Sequence, residues 1–468
     1  MTAAAARVPL LAVLTCSSLM TGCAPVGPNY RRPAVAHPPE YRFIESAPLG
    51  ESLADAPWWR VFEDPTLQAL IREAIARNLD LRVAVARLDE ARARYGIAKS
   101  FLYPQVDATA NYSFQQNPGG SAPGADDIQN GGLYGLQVSW ELDLFGRIRR
   151  ESESAYAQML ASEQARRGVM VTLVGDVASN YFQIRELDFE LDISRRTLQI
   201  NDQTVAYFRN RLEGGVSNRL EVDRAVSNRA QTAAAIPDIE QRIAFVEETL
   251  SLLLGRTPGP IDRNPPNVDM PEPPVIPPGL PASLLERRPD VVQAEQLLVA
   301  ANADVGVARA LFFPAVSLTG FLGALSGDLA SLLGTSGGVW TAGGSLLQPV
   351  FHGGRLRHNL EAARARFEAA VAEYQKAALN GYREVANALI AIQKLGQVRQ
   401  RRLEGVAALR DAADLSRERY ASGLATYFEI LEADQQLFQQ QLLVAQARGT
   451  ELQARADLYR ALGGGWQP

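Results

Sequence analysis

The sequence predicts an α+β membrane protein made of two internal repeats, each carrying two strands and two long helices. Three observations lead there. Two stretches within residues 103–144 alternate apolar and polar residues with period two. A stretch of 65 residues, Arg355–Arg419, holds no proline and repeats an apolar residue every 3.6 positions. Residues 208 positions apart match along much of the chain.

The chain has 468 residues, 47% hydrophobic and 21% charged, with net charge −5. That mild acidity gives no reason to expect nucleic-acid binding. No apolar run of 18 residues occurs beyond residue 30, so no spanning helix is expected. Residues 1–22 read as a secretory signal, with Arg7 as the n-region charge and Leu10–Leu14 as a short apolar core. The segment ends Leu19-Met20-Thr21-Gly22-Cys23, which resembles the lipobox of bacterial lipoproteins and makes Cys23 the acylated residue. Cleavage after Gly22 removes Cys16, the other cysteine, and leaves Cys23 without a disulfide partner. Ala24 follows, not Asp, as in lipoproteins sorted to the outer membrane.

Residues 23–62 form a proline-rich segment without a period, expected to run extended over other structure. Asp64-Pro65 opens the first helix, Asp64 as cap and Pro65 in the first turn. Repeat 1 covers 63–255. Its strands are expected at about 103–114 and 133–144. Val106, Ala108, Ala110, Tyr112 and Phe114 alternate with polar residues, as do Tyr134, Leu136, Val138, Trp140 and Leu142. Each run suits a tilted strand crossing a bilayer, and the Gly- and Pro-rich connection reads as a long exposed loop. A hairpin of a soluble sandwich fits the alternation as well. Long helices are expected at about 147–211 and 218–254.

A linker, 256–282, has ten prolines in 27 residues and is expected to be stiff and extended. Repeat 2 covers 283–463, with strands at about 314–325 and 339–351 and long helices at about 355–420 and 426–462. The tail is 464–468. These second strands are Gly-rich and are assigned mainly because the repeat demands them. Leu356, Leu360, Ala363, Phe367, Ala370, Tyr374, Ala378, Tyr382, Val385, Leu389 and Ile392 take ten steps over 36 residues. A helical stripe that straight must lie against other long helices.

Each helix pair turns through a short loop, at Arg211–Ser217 and at Arg419–Ala425. Gly215 and Gly423 are placed to take the left-handed conformation that ends a helix. Asn218 with Glu221, and Thr426 with Glu429, have the spacing of capping boxes. Four strands cannot close a barrel whose smallest form has about eight, so several copies must join.

The whole mature chain resembles the TolC-like outer-membrane factors, in particular the lipoprotein (NodT-type) members that serve RND-type efflux systems. The residues carrying the resemblance are Cys23 to Pro33 (CAPVGPNYRRP), Trp58-Trp59, Phe62 with Asp64-Pro65 and Leu67, the two Gly-x-Ala…Pro helix-to-strand junctions, Arg287-Arg288-Pro289-Asp290, and Leu458 to Trp466. The resemblance implies a homotrimer with a 12-stranded barrel in the outer membrane, continued by a long periplasmic helical barrel. It implies an exit duct that meets a periplasmic membrane-fusion adaptor and an inner-membrane efflux transporter, with outer-membrane lipid around it, no cofactor and no enzymatic step. Type I protein secretion, or a structural coiled-coil lipoprotein, stands as the alternative. In that family the helix turns dock the adaptor, which points here to Arg211, Gly215, Val216, Arg419, Tyr420, Gly423 and Leu424. Acidic residues ringing the periplasmic mouth align with Glu429 and Glu432. His352 and His358 read as ordinary interface residues, so no metal site is expected. Five Met and three His speak against copper or silver as cargo. No phosphate loop or nucleophile elbow is present.

Overall fold

Alternation with period two becomes four strands in one antiparallel sheet, ordered β1-β2-β3-β4: β1 Gln105–Gln116, β2 Ile128–Leu142, β3 Ala315–Ser326 and β4 Gly338–Leu347. The coordinates are a computed structural model that describes residues 25–36, 62–116, 128–264, 287–326 and 338–464. The signal segment, Cys23, Trp58-Trp59, most of the linker and Trp466 lie outside the described residues. Contacts divide the chain into two units. The first comprises residues 1–34, 87–163 and 293–375, and the second 35–86, 164–292 and 376–468.

The sheet belongs to the first unit. Its register gathers most of the apolar residues of the four strands on one face, while Leu133, Phe321, Leu325, Val339 and Leu347 stand on the other. Val106 pairs with Val138 and Ala108 with Leu136. On the same face Leu136 meets Leu322, Trp140 meets Leu318, and Leu322 meets Trp340. The other face carries Asp107 opposite Gln137, Ser139 opposite Thr319 and Ser317 opposite Ser345. No described strand side chain joins the buried hydrophobic residues. A sandwich hairpin would bury its apolar face, so that reading is excluded. On the polar face the Phe321 ring covers Gly135 and Gly323, paired neighbours where a Cβ would collide with backbone.

Two strands depart from their expected bounds. The strand expected at 339–351 stops at Leu347, because Pro349 has no N–H for a ladder and Gln348 turns its side-chain amide to the carbonyls of Phe312 and Pro349. The strand expected at 133–144 runs instead from Ile128 to Leu142. Asp143 leaves the ladder to accept from the backbone N–H groups of Ile148 and Arg149, at 3.0 and 2.8 Å, and so caps the following helix.

Helices account for most of the rest: α1 Pro65–Arg77, α2 Leu79–Ser100, α3 Arg147–Glu213, α4 Arg219–Leu253, α5 Pro289–Ala310, α6 Arg355–Ala421 and α7 Tyr427–Ala461. The duplication is metrical. α3 and α6 have 67 residues each, α4 and α7 have 35, and α2 and α5 have 22. At 1.5 Å per residue, 67 residues make roughly 100 Å of helix. None of the eleven stripe positions from Leu356 to Ile392 is exposed. Among the described residues no helix is long and apolar enough to cross a membrane.

In the first unit an extended strap, residues 25–34, ties down along the helices. The Val26 N–H donates to Phe145 O at 3.0 Å, and Asn302 Nδ2 donates to Pro28 O. Arg150 donates to Asn29 Oδ1. Arg32 grips Glu295 with two hydrogen bonds of 2.7 Å, and Tyr30 donates to the same carboxylate.

The second unit holds the main core, where Leu67, Ile71 and Ala74 of α1 meet Val174, Phe182 and Leu187 of α3 and Leu458 and Tyr459 of α7. Asp64 caps α1 as expected, accepting from Thr66 and Leu67, and also accepts from the buried Tyr181 hydroxyl. The helix that Asp64-Pro65 opens does not run unbroken to β1. It breaks at Asn78, whose Oδ1 accepts from Leu81 N at 2.8 Å while Nδ2 donates to Leu253 O, so the amide starts α2 and fixes it to the end of α4.

Candidate functional site at the helix turns

Both helix turns lie in the second unit, and the same short sequence logic builds them. α3 ends in a Schellman motif: Val216 N donates to Arg211 O at 2.9 Å and Gly215 N to Leu212 O at 3.0 Å. α6 ends the same way, with Leu424 N to Arg419 O at 2.8 Å and Gly423 N to Tyr420 O at 3.0 Å. Gly215 and Gly423 have φ of +71° and +72°, a conformation that costs any side chain with a Cβ. Each turn has an arginine brace. Arg211 Nη2 donates to Val216 O, and Arg419 Nη2 to Leu424 O.

An aromatic cluster holds the two turns together. Phe208 of α3 lies 4.2 Å from the Tyr427 ring of α7 and 6.1 Å from Tyr420. The Arg211 guanidinium sits over Tyr207 and Tyr420 at 5.5 and 5.7 Å. The seven expected turn residues thus fall within two adjoining loops. The tips present apolar side chains outward, with Val216 63%, Leu220 58%, Leu424 71% and Phe428 51% exposed. Leu220 and Phe428 are additions to the expected set. The signal for them was the 208-residue offset, which relates them as it relates Val216 to Leu424.

The two caps differ. Asn218 Oδ1 accepts from Glu221 N at 3.1 Å, and Ser217 donates to the Glu221 carboxylate. Thr426 makes no side-chain cap bond, so the capping box expected with Glu429 does not form there. Glu429 instead lies 3.7 Å from Arg419 Nε. Glu432 is exposed and accepts from Gln436 one turn further along α7. Three residues apart, the two acids stand on adjacent turns of one helix side.

Sequence reasoning missed the polar contacts that join the turns to the helices beyond them. Arg417 bridges Asp414 and Asp434 at 2.8 and 2.5 Å. Burial pushes the Asp434 carboxyl up from its ordinary range, Arg417 opposes that, and Asp414 adds repulsion. Buried Asn201, Asn228 and Thr232 form a neutral chain between α3 and α4, and Gln435 of α7 donates into it at Asn228 Oδ1. His352 approaches Arg355 and His358 approaches Glu361, each at 2.9 Å. No group of three or more His, Cys, Asp or Glu is placed to hold a metal among the described residues.

The family model described as "Outer membrane efflux protein" matches residues 70–256 and 280–464, one match on each repeat. The "Cation efflux system protein CusC" of Escherichia coli O6:H1 is 33% identical over 450 residues, 96% of this chain and 97% of that protein. The "Toluene efflux pump outer membrane protein TtgC" of Pseudomonas putida is 34% identical over 466 residues, 98% of this chain and 96% of that protein. The solved structure of the outer-membrane channel OprN superposes with a TM-score of 0.87 at 33% identity, over 95% of this chain and 100% of that one. With both repeats matched and relatives above 30% identity along nearly its full length, the chain belongs to the outer membrane efflux protein family.

Proposed function

We propose that this chain is the exit duct of a tripartite efflux pump. Three copies close one barrel in the outer membrane. Their long helices form a passage that receives small molecules from a periplasmic adaptor and an inner-membrane transporter and conducts them outward. The duct performs no chemistry, and the transporter supplies the energy. The observation that carries this reading is the open sheet, with four strands, one continuous apolar face and, among the described residues, no partner along the outer edge of β1 or of β4. Such a sheet needs lipid on one side and further strands at both edges. A coiled-coil lipoprotein would leave it without a role. CusC is named for cations and TtgC for toluene at nearly equal identity, so overall similarity does not select a cargo. Five Met and three His in 468 residues favour organic molecules over soft metal ions.

Cys23 is the proposed lipid anchor. Three residues on, Val26 is fixed to Phe145, between the end of β2 and the start of α3, where the sheet gives way to helix. A radioactive fatty acid should label the wild type and not Cys23→Ser; equal labelling of both would end the assignment.

The turns at Gly215 and Gly423 are the proposed adaptor seat, with Val216, Leu220, Leu424 and Phe428 as its apolar contacts and Arg211, Arg419 and Tyr420 as its frame. Gly423→Val places a β-branched residue at φ +72°. That strain is about 1–2 kcal/mol or more, enough to remodel an exposed loop but not to unfold the helices. Export should be lost while trimers persist in the membrane. Unchanged adaptor crosslinking and efflux would place the seat elsewhere.

Glu429 and Glu432 are the proposed gate acids. Three copies would bring six carboxylates to one mouth, a ring that attracts cations. Arg419 offsets part of the charge at Glu429, so Glu432 carries the larger share. In planar bilayers the resting channel should favour cations and be blocked by divalent ions from the periplasmic side. The Glu429→Ala/Glu432→Ala channel should lose both properties, and unchanged selectivity and block would remove these residues from the gate.

A further inference from the structure

Two acids one turn apart on α3, Glu186 and Glu190, point into the packing between α3, α4 and α7. Glu190 is 2% exposed. Its Oε2 accepts from Arg242 of α4 at 3.0 Å, whereas its Oε1 is buried without a hydrogen-bond partner. The Glu186 carboxylate lies against Gly449 of α7, and a Cβ at position 449 would overlap it. Glycine weakens a helix interior, and here it leaves the notch that the carboxyl group fills. Glu190 is buried and paired with Arg242, and the half-buried Glu186 carboxylate stands one helical turn away with no guanidinium of its own hydrogen-bonded to it among the described residues.

The charged groups on every packed element support that count. From α4 the facing group is Arg242. From α7 the facing residue is Gly449, and its charged neighbours Arg448 and Glu451 lie 3.7 Å from each other. Arg399 of α6 and Arg455 of α7 also go to Glu451. At Glu451, burial raises the carboxyl, but Arg455 and Arg399 outweigh it and hold the group below its ordinary value. Glu186 is the opposite case. Burial first, then Glu190, push its carboxyl up to about 7 against the pull of Arg242. The positions 208 residues on are Lys394 and Val398, so the acid pair is peculiar to repeat 1 and is no by-product of the duplication.

We infer that Glu186 and Glu190 form a one-proton site between α3 and α7, that the bound proton lets α7 seat on α3 at Gly449, and that its loss to solvent loosens this seat. With Glu186 neutral, its hydroxyl is a donor available to the orphan oxygen of Glu190, and a single negative charge faces Arg242. With both ionised, the buried Glu190 and the half-buried Glu186 place two negative charges one turn apart near one cation. Because α7 also carries Glu429 and Glu432, the site couples ambient pH to the helix that holds them.

The sign follows from proton linkage. Above the ordinary value of 4.5 the unfolded chain has released its proton while the folded chain retains it up to about 7. Stability contributed by this site therefore falls as pH rises through that window and is flat above it. Asp176 and Asp434 are also raised by burial, but they titrate identically in wild type and variant and cancel in a comparison. Full-length protein in detergent should lose Tm more steeply across the window than Glu186→Gln, which keeps the shape and the donor without the charge. Below neutral pH the infrared spectrum of the wild type should contain a protonated-carboxyl band that is missing from Glu186→Gln. An identical pH slope of Tm in the two proteins, or no difference in that band, overturns the proposal.

Discussion

An antiparallel sheet of four strands with both outer edges open cannot rest in lipid, because each unpaired N–H and C=O there costs several kcal/mol. Nor can this sheet rest in water as it stands. Its apolar face, from Val106 through Val138 to Leu322 and Trp340, contributes no side chain to the buried core among the described residues. Only a closed ring with lipid outside satisfies both demands at once. The polar face then turns inward, which gives Asp107, Gln137, Ser139 and Thr319 an aqueous lining to serve. That several copies must join is a consequence of that single requirement.

Duplication is the economical route to such a ring, since one hairpin-and-helix unit serves twice per chain. Equal helix lengths and the two matching Schellman turns preserve the inherited frame. Departures from the frame are where the two halves have specialised. The first turn keeps an Asn218 cap, while the second loses its cap bond at Thr426 and directs Glu429 toward Arg419. The acid pair at Glu186 and Glu190 faces Lys394 and Val398 across the offset.

Much of this was legible in the residues alone, and the reason is locality. Asp64-Pro65, Gly215, Gly423 and the stripe from Leu356 to Ile392 act through neighbours within one or two helical turns, so their spacing states their role. Strand alternation was legible for the same reason, and it carried the register once the apolar faces had to coincide. What escaped was decided at a distance or by one backbone group. Pro349 ends β4 four residues early because it lacks a donor. Asn78 splits the opening helix because its amide reaches Leu253, 175 positions away. Arg417 with Asp434, Gln435 with Asn228 and Glu186 against Gly449 have no spacing rule that marks them. At the turns, position and shape were readable, whereas the arginine braces and the lost Thr426 cap needed coordinates.

Closure by several copies is the claim on which the rest depends, and its most direct test is the protein mass of the detergent-solubilised assembly. Multi-angle light scattering with the detergent contribution subtracted should give three times the mass of the mature chain. A stable, membrane-inserted monomer would contradict the account, since one chain would then have satisfied two open strand edges in lipid without a partner.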